Sequence, residues 1–152
     1  MAFRFGRILA ILVGLGVVGV GGFLYVTQAQ PYPDAHWANL GEPDLANGAL
    51  VFSAGGCVSC HGAVDATGDA KLVLAGGLPL HTAFGTFYAP NISPDEEAGI
   101  GGWSLADFGN AIKRGVDDEG KHLYPSFPYG SYARMSDKDV NDLWAYMKTL
   151  PK

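Results

Sequence analysis

From Ile8 to Val26 the chain runs ILAILVGLGVVGVGGFLYV, 19 residues without a charge. At 1.5 Å per residue a helix of that length crosses roughly 30 Å of hydrocarbon. The pattern therefore predicts a membrane helix over residues 1–26. Arg4 and Arg7 precede it and no basic residue follows until Lys71. That asymmetry leaves the N-terminus cytoplasmic and the remainder outside, in a single-pass arrangement. Thr27-Gln28-Ala29 has small residues at the spacing a signal peptidase accepts. The apolar run exceeds the about 7 to 15 residues usual for a cleaved signal, however, so an uncleaved anchor is expected. Gly14, Gly16, Gly19, Gly21 and Gly22 crowd the helix, and Ala10 with Gly14 forms a small-xxx-small pair, which suits close packing against a partner helix.

Beyond the anchor, residues 27–43 carry Pro31, Pro33 and Pro43 and no apolar period. They read as a stiff tether of about 20 to 25 Å reach. His36 and Trp37 within it are expected to meet the membrane interface or a partner. Three amphipathic segments follow. Leu45, Gly48, Ala49 and Phe52 repeat at three and four behind a capping Asp44, and Gly55-Gly56 ends that helix. Ser104 and Asp107 form a capping box ahead of Leu105, Phe108, Ile112 and Val116. Ser136 and Asp139 do the same before Val140, Leu143, Trp144, Met147 and Leu150, with Pro151 as the stop. No strand pattern competes, so a mainly α domain over residues 44–152 is expected. Residues 62–102 show no sustained period and exceed an ordinary loop, as a segment wrapped around a bulky cofactor would.

The chain of 152 residues leaves room for one small domain beside the anchor. Its formal net charge is −5, and without Arg4 and Arg7 the remainder holds 8 Lys and Arg against 15 Asp and Glu. Such a body disfavours a nucleic-acid partner. It suits a basic docking surface, and equally plain solubility.

The chemistry is concentrated in Cys57-Val58-Ser59-Cys60-His61, which uses both cysteines of the chain. C-x-x-C followed by His is the pattern of covalent c-type haem attachment: two thiols add to the two vinyl groups of one haem, and the adjoining imidazole coordinates its iron. A dithiol redox site would need a βαβ setting, and a zinc site about four ligands where three stand here. One covalently bound haem c is expected, with its domain on the periplasmic side of a bacterial inner membrane.

These parts resemble a mono-haem cytochrome c of the all-α class I fold. The resemblance implies that Gly48 and Phe52 pair with Tyr146 where the N-terminal and C-terminal helices cross. FGTFYAPNISPDEEAGIGGWSLADFGNAIKRGV, with LYPSFPYGSYARMSDKDVNDLWAYMKTLP after it, is similar to the cytochrome c subunits of bacterial membrane-bound alcohol and gluconate dehydrogenases. Those subunits commonly carry three haem domains in tandem, whereas this chain has one C-x-x-C-H. The resemblance implies relay of single electrons from a periplasmic dehydrogenase toward a quinone pool or oxidase, within a respiratory or photosynthetic membrane complex, and no catalysis by the chain itself.

The second axial position has four candidates past the anchor: Met135, Met147, His81 and His122. Met147 sits on the apolar face of the last helix, as a core residue would. Met135 precedes a helix cap in a loop rich in Pro, Tyr and Gly, and a loop-borne thioether suits iron. We take Met135 as the ligand. Either histidine would give a bis-histidine haem of lower potential. In the related sequences a methionine often occupies the YP-x-x-PY phrase where Phe127 stands here. Around the haem, Pro79 is expected to offer its carbonyl to the ring N–H of His61. Tyr88, Asn91 and Trp103 are candidates to hydrogen-bond a propionate, and Arg114 to pair with one. The alternative to a carrier is a haem enzyme or gas sensor with an open axial site, toward which only the Lys121-His122 pair points.

Overall fold

A computed structural model describes residues 2–125 and 128–152; Phe127 lies outside them. The chain divides into two units, one ending at Gln30 and one spanning Pro31–Lys152. The first is helix α1, Ala2–Thr27. Its Gly6–Thr27 portion is 22 residues long and has a mean hydropathy of 2.3. That makes it long and apolar enough to cross a membrane. A methyl group added at Gly14, Gly16, Gly19, Gly21 or Gly22 would meet nothing within 4 Å, so the glycine-rich surface is open.

The second unit is built on two crossing helices, α2 (Leu45–Gly55) and α6 (Asp137–Met147). Gly48 permits the crossing, because a Cβ there would collide with the Asp142 carbonyl and stand 2.7 Å from Tyr146 Cβ. Phe52 packs beside Tyr146, with ring centroids 5.4 Å apart. Both helices begin on the expected caps. The Asp44 carboxylate accepts from the Ala46 and Asn47 amides, and Ser136 accepts from Asp139 N–H. Asp142, fully buried at this interface, accepts from Asp44 N–H at 2.8 Å, Asn47 Nδ2 at 2.9 Å and Lys138 Nζ at 2.9 Å. Burial pulls its pKa up, but the Lys138 ammonium and the amides of Asp44 and Asn47 outweigh that and hold it below the usual carboxylate value.

Helix α4 (Leu105–Arg114) lies against this pair, with Phe108 stacked on Trp144 at 4.6 Å. Its capping box is complete, and Gly115 ends it in the left-handed conformation. Two short helices, α3 (Cys57–His61) and α5 (Tyr129–Tyr132), complete the set. Val140, Leu143, Trp144, Met147, Phe52 and Phe108 form the centre of the core.

Two expectations need correction. Within 62–102 the chain makes an antiparallel hairpin, β1 (Pro79–Thr82) with β2 (Gly85–Tyr88). Four residues per strand are too few to show alternation, and three of the four in each strand are exposed. The expected tether is also mostly part of the domain. Trp37 is buried, its ring seated where a Cβ on Gly109 would come within 2.6 Å. Asn110 Oδ1 accepts from Tyr32 N–H at 2.7 Å, and Asn110 Nδ2 donates to Tyr32 O at 3.0 Å. His36 stacks on Tyr32 and reaches Asp137 at 3.1 Å. A single 3-10 turn, Asp34–Trp37, with Tyr32 just before it, carries these contacts, and it is too short to leave an apolar period in the sequence.

Candidate functional site

The site begins where α2 stops. Gly56, at φ 67°, turns the chain in the left-handed region, and Cys57–His61 then forms one helical turn. A turn of 3.6 residues sets the side chains of residues 57, 60 and 61 on one side of a short helix. Cys57 is partly buried, Cys60 is exposed, and both thiols are free. Burial pushes the Cys57 thiol up.

His61 Nδ1 lies 2.8 Å from the carbonyl oxygen of Pro90. A carbonyl only accepts, so the ring proton resides on Nδ1 and Nε2 keeps its lone pair. Burial lowers the pKa of His61, with the Pro90 bond opposing, so the ring is neutral at pH 7. This is the state a metal ligand needs. Pro79, the expected partner, is instead paired with Tyr88 at the foot of the hairpin. The hairpin turns residues 79–88 away and returns the chain at Ala89, where Gly77 N–H donates to Ala89 O and Ala89 N–H to Leu78 O. Gly76 allows that return: it is buried at φ 74°, and a Cβ on it would stand 2.6 Å from Pro90 C. Its own N–H donates to His61 O at 2.7 Å.

The chain comes back to the cysteines through α5. The Tyr132 hydroxyl donates to Gly55 O at 2.7 Å, and Tyr132 O accepts the Met135 amide at 2.9 Å. Met135 is half-buried and packs on the edge of the core, whereas Met147 is buried within it. His81 is exposed and bonds Thr86 across the hairpin, and His122 is exposed beside Val116. Tyr88 is 66% exposed. The Asn91 side-chain oxygen accepts from Ser93 N–H at 2.8 Å, tightening the turn after Pro90. Trp103 packs on the core rim just before the α4 cap. Arg114 is exposed at the end of α4, its guanidinium 5.0 Å from the Tyr32 ring centroid.

The cytochrome c family model matches residues 45–151, from the first helix of the domain through the last. The chain belongs to the cytochrome c family. The diheme cytochrome c-type protein of Cereibacter sphaeroides is 46% identical over 145 residues, which cover 93% of this chain and 48% of that protein. The gluconate 2-dehydrogenase cytochrome c subunit of Pantoea cypripedii is 45% identical over 109 residues, 68% of this chain and 24% of the subunit. The alcohol dehydrogenase (quinone) cytochrome c subunit of Gluconobacter oxydans is 33% identical over 138 residues, 91% of this chain and 25% of the subunit. The chain thus spans about half or a quarter of the length of these curated relatives.

A cytochrome c domain implies covalent haem c, and the donor set of this one fits it. Two free thiols flank one turn, and the next residue is a neutral imidazole with its tautomer set by a backbone carbonyl. The contributions of Pro90, Gly76 and Tyr132 are absent from the sequence reading. A glycine pair ahead of a charge-free stretch was the one signal for Gly76. Pro90 and Tyr132 act through contacts 29 and 77 residues apart, which no local pattern announces.

Proposed function

We propose that this cytochrome c is a membrane-anchored, mono-haem electron carrier that passes single electrons from a periplasmic dehydrogenase to a membrane acceptor, in a respiratory or photosynthetic complex. Bound haem supplies a reversible one-electron couple; the protein sets its position and potential. Cys57 and Cys60 would hold the macrocycle by two thioether bonds. His61 would ligate the iron through Nε2, and its bond to Pro90 O fixes the ring and would raise its donor strength. Met135 would supply the second iron ligand, and a thioether in that role would favour the ferrous state and a higher potential. Tyr88, Asn91, Trp103 and Arg114 remain the candidates for the propionates.

The observation that carries this reading is the His61–Pro90 bond in a turn holding both free thiols: it prepares one nitrogen for iron. The single C-x-x-C-H supports one haem per chain. Helix α1 supports the anchor, with Arg4 and Arg7 favouring a periplasmic domain. After α1, only Gln28, Ala29 and Gln30 precede the domain unit. Relatives named as dehydrogenase subunits support a dehydrogenase as the donor.

Carbon monoxide added to the untreated ferrous holoprotein tests the carrier reading. A filled sixth position predicts a visible spectrum unchanged over minutes. Rapid, complete formation of a carbonyl adduct would instead assign the chain to open-site haem proteins that bind or transform gases.

A further inference from the structure

Gly55 is the last residue of α2, and a carbonyl at such an end has no acceptor role left within its own helix. Its oxygen accepts the Tyr132 hydroxyl at 2.7 Å. The tyrosine ring lies against the haem-attachment turn: a Cβ on Gly55 would stand 3.6 Å from Cys57 Sγ and 3.8 Å from Tyr132 Cε1. Tyr132 also accepts the Met135 amide through its own carbonyl, at 2.9 Å. One residue therefore bridges the turn that bonds the haem and the backbone that carries the proposed sixth ligand.

We infer that Tyr132 is a positioning residue for axial coordination: its phenol hydroxyl clasps residues 128–135 to the carbonyl end of α2 and so keeps the Met135 sulfur on the iron. On the C-terminal side Met135 is already restrained by Ser136, the cap of α6. Without the clasp the N-terminal side of the loop swings more freely, and the sulfur leaves the iron more often. Covalent attachment through Cys57 and Cys60 does not depend on the hydroxyl, so haem content is unaffected. The inference rests on Met135 being the sixth ligand.

Imidazole capture by the ferric holoprotein, followed by stopped flow, tests it. With excess imidazole the rate is limited by dissociation of the native ligand. Tyr132→Phe keeps the ring and removes the hydroxyl, and is expected to capture imidazole about five- to tenfold faster, equivalent to about 1 to 1.4 kcal/mol. Its far-red sulfur-to-iron band is retained at pH 7. Tyr132→Leu, which also lacks the donor, is expected to be at least as fast. Met135→Leu lacks the band and captures without the dissociation-limited phase, and adding Tyr132→Phe to it changes nothing further. Capture by Tyr132→Phe at the wild-type rate would overturn the inference. So would the same acceleration in the Met135→Leu background, since the hydroxyl would then act on pocket access rather than on the methionine. A far-red band that persists in Met135→Leu would instead overturn the ligand assignment beneath it.

Discussion

Pro90 shows how much the chemistry of one residue depends on where the chain returns. Its carbonyl sets the His61 tautomer, and buried Gly76 makes room for it. Gly76→Ala puts a methyl group into the Pro90 backbone and forces a strained φ. The expected result is a holoprotein with intact thioether bonds and a higher potential, because the imidazole loses its oriented acceptor and becomes a weaker donor to iron. Potentiometry of the variant checks this, and an unchanged midpoint would count against the Pro90 role. Met135→His is expected to shift the potential the other way, downward, since nitrogen replaces sulfur on iron. That Cys57, Cys60 and His61 come together was legible from the sequence because adjacent residues meet within one turn. The Pro79 expectation failed because it counted along the chain, while the hairpin folds positions 79–88 aside and returns the chain at Pro90.

At the scale of elements, the crossing of α2 and α6 holds the attachment turn in place. Gly48→Ala must push Tyr146 and the Asp142 carbonyl away, and is expected to destabilise the domain by about 1 to 3 kcal/mol or more in chemical denaturation. Asp142 ties the same two helices. Its removal in Asp142→Ala leaves the Asp44 amide and Asn47 with fewer acceptors, at a cost of about 2 kcal/mol. The pH dependence has a definite sign. The folded pKa of Asp142 is depressed below 3.8, so its contribution is complete above the ordinary carboxylate range. It is lost as pH falls through the lowered value, because the unfolded chain takes up the proton first. The stability gap between wild type and Asp142→Asn should therefore shrink below about pH 4; a constant gap from pH 3 to 7 would contradict the ion pair. Helix caps and apolar periods were read correctly because they are local: Asp44, Ser104 and Ser136 each cap where expected. The Pro31–Trp37 strap escaped notice because it is held by distant partners, Gly109 and Asn110, and the hairpin because its four-residue strands are too short to show alternation.

For the molecule as a whole, the proposal gives the acidic domain the cofactor and the apolar α1 the role of anchor. A chain beginning at Pro31 keeps Tyr32, His36 and Trp37 on the domain, and is expected to fold with haem and leave the membrane fraction. A chain beginning at Asp44 loses the buried Trp37 and its contact with Gly109 as well, and is expected to be less stable by about 3 kcal/mol or more. Thermal melts of the two truncated holoproteins compare them directly. The central claim is that one chain moves one electron through one haem held by Cys57, Cys60, His61 and Met135. An optical redox titration of the purified holoprotein, scaled to chain concentration, tests it most directly. The account predicts a single reversible n = 1 transition consuming one electron per chain. Two transitions, or more than one electron per chain, would contradict it.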